Sequence, residues 1–219
     1  MHKTVVIICD GQFPKTEYPR YLIRTADFII CCDGALKKFM KNSTAIFGEE
    51  RLPDLVIGDM DTLPASWQKK YADIIVKESE QEHNDQTKAV RWALSNIQGI
   101  GELYILGSTG GRADHTIGNL SLLMEYTRMF ELGEITIQAI TDEGTIFAVN
   151  DTIEFDCGTG RCVSIFSPDS SLKIRSVGLE YPTDDVVFDN WWKATLNKAA
   201  QDNVRLEFNH PSMALIILD

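Results

Sequence analysis

Basic residues are the scarce class in this chain: 21 Lys and Arg stand against 32 Asp and Glu, a formal net charge of −11. The mean field of such a protein repels polyanions, which argues against non-specific binding to DNA, RNA or an anionic membrane surface. Any anionic substrate needs local positive charge or bound cations. No stretch approaches the roughly 20 apolar residues of a membrane span. Met1-His2-Lys3 runs straight into Val5-Val6-Ile7-Ile8, too short a run for the core of a secretory signal. A cytoplasmic protein with no membrane or nucleic-acid partner is therefore expected. Cysteine is sparse as well: there are five, with no Cys-x-x-Cys and no zinc-module spacing. Cys9, Cys31 and Cys32 lie in apolar runs, while Cys157 and Cys162 flank a Gly-containing turn, so buried thiols are the expectation. Internal repeats and low-complexity segments are also lacking.

What is present suits one large or two small globular domains: 219 residues, 44% of them hydrophobic and 24% charged. Short apolar runs at 4–9, 28–32, 55–57, 74–76 and 103–106 each predict a buried strand. Between them, 35–41, 65–71, 85–96 and 115–132 predict helices, the last with a stripe of Ile117, Leu120, Leu123 or Met124, and Phe130. This alternation predicts an α/β domain with a mostly parallel sheet covered by helices on both faces, which binds ligands at the carboxyl ends of its strands. After Gly133 the texture changes. Short β-like runs at 134–140, 145–149, 152–155, 162–166, 172–177, 186–188, 204–208 and 213–218 are separated by turns, predicting an all-β antiparallel sandwich. Two domains, 1–133 and 134–219, are expected.

Chemistry concentrates at the predicted strand ends. The run Leu55-Val56-Ile57-Gly58 ends in Asp59-Met60-Asp61, two acids whose i, i+2 spacing puts both carboxylates on one side of an extended chain. Hard oxygen ligands held together suit Mg²⁺, although Asp-x-Asp is also a common solvated turn. Asp33-Gly34 closes another apolar run, with a glycine that permits close approach of a ligand to the backbone. At Gln81 to Lys88, Asn84 or Asp85 fits as a helix N-cap, whereas Lys88 in the first turn opposes the helix dipole and calls for a nearby anion. His83 reads as structural or solvent-facing. In Gly107-Ser108-Thr109-Gly110-Gly111-Arg112-Ala113-Asp114, backbone N–H groups and a forked guanidinium can converge on phosphate, with Asp114 serving equally well as a helix cap. The loop is neither the dinucleotide fingerprint nor a P-loop. Four acids and two cations at strand ends of an acidic protein form the set expected for Mg-nucleotide phosphoryl transfer.

These segments resemble, in order, the motifs of the thiamine pyrophosphokinase family: Asp33-Gly34-Ala35, Gly58 to Thr62, Gln81 through Lys88, and Gly110 to His115 followed by Asn119. The resemblance implies an α/β ATP-binding domain, a C-terminal β-sandwich that binds thiamine and dimerises, and a homodimer with active sites at the subunit interface. It implies transfer of the pyrophosphoryl group of ATP to the hydroxyl of thiamine, giving thiamine diphosphate and AMP. By the same resemblance Asp33, Asp59, Asp61 and Asp85 hold Mg²⁺, and Asp59, Asp61, Asp85 and Arg112 are catalytic. Phosphates fall to Asp33, Gly34, Thr87, Lys88, Gly110, Gly111, Arg112 and Asp114. Thiamine falls to Gln81, Asp59, Asp61, Asp85, Tyr181 and Asn197. Where the family commonly has Ser-Asn, this chain has Leu196-Asn197, and Leu196 offers no hydroxyl. Trp191 and Trp192 read as core or interface packing. The same ATP-binding half would also serve a pyrophosphokinase for another heterocyclic alcohol, such as a pterin, or a non-catalytic thiamine or nucleotide sensor.

Overall fold

A computed structural model describes residues 2–219. The chain forms two compact units, one comprising residues up to Asn119 with Gly133–Asp142, the other Leu120–Leu132 with Glu143–Asp219.

The first unit is built on six strands: β1 (Lys3–Ile8), β2 (Phe28–Cys32), β3 (Leu55–Gly58), β4 (Ile75–Lys77), β5 (Ile100–Leu106) and β6 (Thr136–Ile140). They lie in the order β6-β5-β1-β2-β3-β4, and every neighbouring pair is parallel. A parallel strand is buried on both faces, which is why Val5 to Ile8 of β1 and Ile29 to Cys32 of β2 read as unbroken apolar runs. Val6, Ile8, Ile29, Cys31 and Val56 pack on one side against Leu22 and Ile23 of α1 (Glu17–Thr25) and Leu36 and Phe39 of α2 (Ala35–Phe47). The alternate residues Val5, Ile7, Ile30 and Ile57 are equally buried, and α4 (Asp85–Asn96) covers β1, β2 and β3 with Ala89, Val90 and Ala93 sunk into the core. A short helix, α3 (Ala65–Lys70), precedes β4. From β1 the chain steps outward to β4, then returns to the far side of β1 as β5. The order reverses there, and a crevice opens beyond the carboxyl ends of β1 and β5.

The predicted strands and helices of this half are present, with two departures. Helix α1 escapes the sequence reading because Pro19 interrupts its pattern, yet Pro19 sits in the first turn, where no backbone N–H is required. Segment 134–140, read as the start of the β-rich half, instead pairs β6 in parallel with β5.

In the second unit, β7 (Thr145–Val149), β13 (Ala214–Leu218), β9 (Cys162–Phe166) and β11 (Ala194–Lys198) form antiparallel neighbours in that order. A separate three-stranded sheet runs β10 (Ile174–Val177), β12 (Asn203–Phe208), β8 (Ile153–Asp156). One core joins them, with Val149, Val163, Ile165 and Ile216 from the first set meeting Ile174, Val204 and Leu206 from the second, which is the packing of a sandwich. Segment 186–188, predicted as a strand, is irregular. Strand β11 went unpredicted because its alternation breaks at Leu196, which is exposed at φ 58° where the pairing with β9 slips register. Helix α5 (Ala113–Met129) buries Leu123 and Tyr126, whereas Ile117 of the predicted stripe is half exposed.

The first unit is closed by a contact far apart in sequence. Asp142, just after β6, accepts the backbone N–H groups of Lys15 and Thr16 (both 2.8 Å) and the hydroxyl of Thr16 (2.9 Å). Thr16 is the N-cap of α1 and offers no cap through its own side chain, so Asp142 anchors the entry to that helix from outside. Partial burial opposes ionisation of Asp142, but the hydrogen bonds from Thr16 and Lys15 prevail and hold its carboxyl below the ordinary value of 3.8. Asp142→Ala is expected to cost about 1–2 kcal/mol, the lower part of the range for donors left without an acceptor, since the site is partly solvated. A depressed folded pKa gives stability that is complete above the unfolded value and lost as pH falls through the folded one. Urea titrations should therefore separate variant from wild type at neutral pH and bring them together well below pH 3.8.

Candidate active site

The turns after β1, β2, β3 and β5, with the first turn of α4, wall a cleft of about 740 Å³ in the first unit. Each turn contributes through a backbone feature that its sequence makes possible. After β2, Asp33 adopts φ 38° and is buried; its Oδ2 accepts the Thr62 N–H at 3.1 Å. A Cβ on Gly34 would lie 2.6 Å from Asp10 Oδ2 and 2.8 Å from Thr62 Oγ1, so the close approach of these turns requires glycine. After β3, Met60 takes φ 67° and drives its side chain into the core, while Asp59 and Asp61 line the cleft. The two acids therefore share a side through a strained turn, in place of the extended chain that the i, i+2 spacing predicted. Gln68 Nε2 pins the turn by donating to the carbonyls of Met60 and Leu63 (2.8 and 2.7 Å).

At α4, Asn84 is the N-cap, its Oδ1 accepting the Thr87 N–H at 3.0 Å. Asp85 is thereby free of the capping role and faces the cleft, and Lys88, 2% exposed, reaches it at 3.4 Å. Asn119 of α5 ties the region together: it accepts from Asn84 Nδ2 (2.8 Å) and Gln86 Nε2 (3.0 Å) and donates to the Ser108 carbonyl (2.9 Å).

Carboxylate oxygens of Asp33, Asp59 and Asp85 lie within 4.8 Å of one another. At that distance each like-charge pair costs about 1 kcal/mol in bulk water and about 3–4 kcal/mol at an effective dielectric of about 20. Burial pushes the Asp85 carboxyl up, opposed by Lys88. The charge of Asp59, then partial burial and Asp33, raise Asp61, while the Asp61 N–H and Gln81 hold Asp59 down. Asp33 Oδ1 is one of two buried side-chain polar atoms without a hydrogen-bond partner among the described residues, the other being Ser108 Oγ; both residues line the cleft. Three hard oxygen donors, one of them buried and unpartnered, fit a small divalent cation. Asp61 lines the cleft outside this tight group.

Of the other expected residues, Gly34, Gln81, Lys88, Gly111 and Arg112 line the cleft. Gln81 Nε2 donates to Asp59 Oδ2 at 3.3 Å. Arg112 is largely exposed and its Nε bonds Asp114 Oδ1 at 3.1 Å. Thr87, Gly110 and Asp114 do not form the wall: Thr87 is buried within α4, and Gly110 packs so closely on Gln12 that a Cβ would sit 2.4 Å from it. Tyr181 and Asn197 belong to the second unit. There the Asn197 amide is engaged by the Tyr181 backbone, accepting its N–H (3.1 Å) and donating to its carbonyl (2.6 Å), and leaves the Tyr181 ring exposed. Trp191 and Trp192 are exposed rather than core. The sequence reading missed Asp10 and Gly11, which also line the cleft. Their signal was legible, since Asp-Gly after an apolar run repeats the pattern of Asp33-Gly34. Lys38 holds Asp10 Oδ1 at 2.8 Å and the Asp10 and Gly11 carbonyls at 2.6 and 2.8 Å.

Residues 19–133 match the family model for the thiamin pyrophosphokinase catalytic domain, and residues 144–214 match that for its substrate-binding domain. The chain is 27% identical to thiamine pyrophosphokinase 1 of Oryza sativa subsp. japonica, over 82% of this chain and 74% of that one. It is 22% identical to thiamin pyrophosphokinase 1 of Caenorhabditis elegans, over 75% and 68%. Its fold is similar to solved structures of the thiamin pyrophosphokinases of Candida albicans (TM-score 0.78, 16% identity, 99% and 89% of the chains) and Bacillus subtilis (0.76, 19%, 99% of both). With the catalytic-domain match alone covering more than half of its length and the carboxylate cleft lying in that half, the chain belongs to the thiamin pyrophosphokinase family.

Proposed function

We propose that this chain transfers the pyrophosphoryl group of ATP to the hydroxyl of thiamine in the cleft of the first unit, yielding thiamine diphosphate and AMP. The observation that carries the reading is the convergence of Asp33, Asp59 and Asp85 in a cleft that a Gly-rich strand-to-helix loop also lines. These three acids, with Asp61 beside them, would hold Mg²⁺. When bound, that ion supplies positive charge to neutralise the polyphosphate and the charge that develops during transfer. Backbone N–H groups of the loop around Gly111 and the N-terminal end of α5 cradle phosphate oxygens. Lys88 and Arg112 add the cations that an acidic protein must concentrate locally. Asp61 is the group we assign to the thiamine hydroxyl: its raised pKa moves it toward proton acceptance, and it stands outside the tight triad.

Thiamine carries a positive ring, which acids favour and aromatic faces stack against. Gln81 is its proposed contact in the cleft of the first unit; Tyr181 and Asn197, which the resemblance assigns to thiamine, lie in the second unit, where Asn197 grips the Tyr181 backbone. Exposed Tyr181, Trp191, Trp192 and Leu196 support a homodimer in which a second copy covers this apolar surface. Five free cysteines accord with residence in the cytoplasm.

Purified protein with ATP, Mg²⁺ and thiamine is expected to release AMP and thiamine diphosphate in equal amounts; release of ADP, or turnover only with a pterin alcohol, would overturn the reading. Asp61→Asn is expected to lower kcat by at least about 10²-fold, the lower end of a positioned acid–base contribution. The same variant removes a repulsion with Asp59, so its thermal midpoint without metal should not fall; a fall would mean that Asp61 is structural. Lys88→Met leaves Asp85 without its counter-charge. It is expected to cost on the order of 1–3 kcal/mol, less than a fully buried broken pair because Asp85 retains 31% exposure. Denaturant titration measures that loss.

A further inference from the structure

Two side chains on the wall of the cleft have no part in the reaction proposed above. Ile8 pairs with Cys31 in the parallel register of β1 and β2, so the next residues, Cys9 and Cys32, stand opposite each other at the carboxyl ends of both strands. Adjacent residues of a strand point to opposite faces. Cys31 is accordingly buried in the core against α1 and α2, while Cys32 turns toward α4 and the cleft. The Cys9 and Cys32 sulfurs lie 4.0 Å apart, and both residues are buried. A tetrahedral ion with metal–sulfur bonds of about 2.3 Å holds two sulfurs about 3.8 Å apart, so the pair already has the bite of a two-thiolate ligand. Each sulfur also has an oxygen of the first turn of α4 beside it: Gln86 Oε1 lies 3.7 Å from Cys9 Sγ, and the Asp85 carbonyl 3.5 Å from Cys32 Sγ.

We propose that Cys9 and Cys32 form a second cation site in this cleft, selective for thiophilic divalent ions such as zinc or cadmium, whose occupation blocks the carboxylate site beside it. Hardness separates the two sites. Sulfur ligands favour soft and borderline ions, and oxygen ligands favour magnesium. Binding replaces two S–H bonds by two metal–sulfur bonds and releases two protons to solvent, with no change of oxidation state. Once two protons have left, the ion and its two thiolates add no net charge; the block comes from losing the thiol hydrogen bonds to the turn of α4 that carries Asp85 and Lys88, which frees that turn to shift.

The test uses the intact chain in excess Mg²⁺ and titrates it with Cd²⁺, following cadmium–thiolate charge-transfer absorption. One Cd²⁺ per chain is expected, unaffected by Asp59→Asn. Cys9→Ser and Cys32→Ser should each weaken binding by more than about tenfold, the least that loss of even an outer-shell partner costs a metal site. Cys31→Ser should leave it intact. Thermal melts establish that each variant is folded, and Cys9→Ala and Cys32→Ala replace any serine variant that is not. Absence of the thiolate band, a band unchanged in both single variants, or displacement of Cd²⁺ by Mg²⁺ would overturn the site. In turnover assays Cd²⁺ should inhibit wild type at least about tenfold more strongly than Cys32→Ser, each relative to its own rate; equal inhibition would overturn the block. The turnover arm rests on the proposed reaction, whereas the absorbance arm does not, so failure of one is distinguishable from failure of the other.

Discussion

Three carboxylates forced into one small volume are the constraint around which the first unit is arranged. The parallel sheet creates the convergence, because every strand delivers its carboxyl end to the same edge, and the reversal of strand order between β1 and β5 leaves that edge open. Asp33 and Asp59 come from the ends of adjacent strands, and Asp85 enters from the helix laid across them. Among the described residues, Lys88 is the buried cation that forms an ion pair with one of the three, Asp85. Repulsion of about 3–4 kcal/mol per pair at intermediate dielectric is comparable to a large part of the stability of a small domain.

The backbone around the triad shows what holding it requires. Asp33 and Met60 both sit at positive φ, a conformation that side chains other than glycine adopt at a cost of order 1 kcal/mol or more. Each is secured by neighbours. The Asp33 N–H bonds the Ile57 carbonyl at 2.9 Å, and the Met60 side chain is locked into the core beneath its turn. On the other wall, the loops after β1 and β5 are knitted by Gly11 N–H to the Gly107 carbonyl (2.8 Å) and Gln12 N–H to the Thr109 carbonyl (2.7 Å). A Cβ on Gly11 would fall 2.2 Å from the Thr109 carbonyl oxygen, which ties the loop to its glycine sequence.

How much of this was legible follows from the range of the interactions. The strands of the α/β half and the acids at their ends announce themselves because burial on both faces writes an unbroken apolar run and the chemistry sits directly after it. Asp10-Gly11 carried the same mark and was passed over. Features set by distant partners left no local trace. Asp142 anchors a helix that begins at Glu17, β6 joins the sheet through β5, and Asn119 links Asn84, Gln86 and Ser108 from another helix. Strand β11 was hidden for the opposite reason: a single residue, Leu196, leaves the β conformation and breaks a local pattern that the flanking strand otherwise obeys.

Asp85 stands at the junction of two demands, and this links the ion and the phosphates. It belongs to the carboxylate triad and is also the ion-pair partner of buried Lys88. An ion that draws Asp85 toward the triad weakens its hold on Lys88 and leaves a buried ammonium in the first turn of α4, where the helix dipole already disfavours positive charge. That penalty makes a cation alone a poor ligand. Phosphate alone is equally poor, since it would meet three unneutralised acids. Under the proposed function, a metal–nucleotide complex would meet both demands at once, its cation answering the triad and its phosphates answering Lys88. Binding of metal and nucleotide is therefore expected, under that function, to be cooperative, through charge balance at one carboxylate.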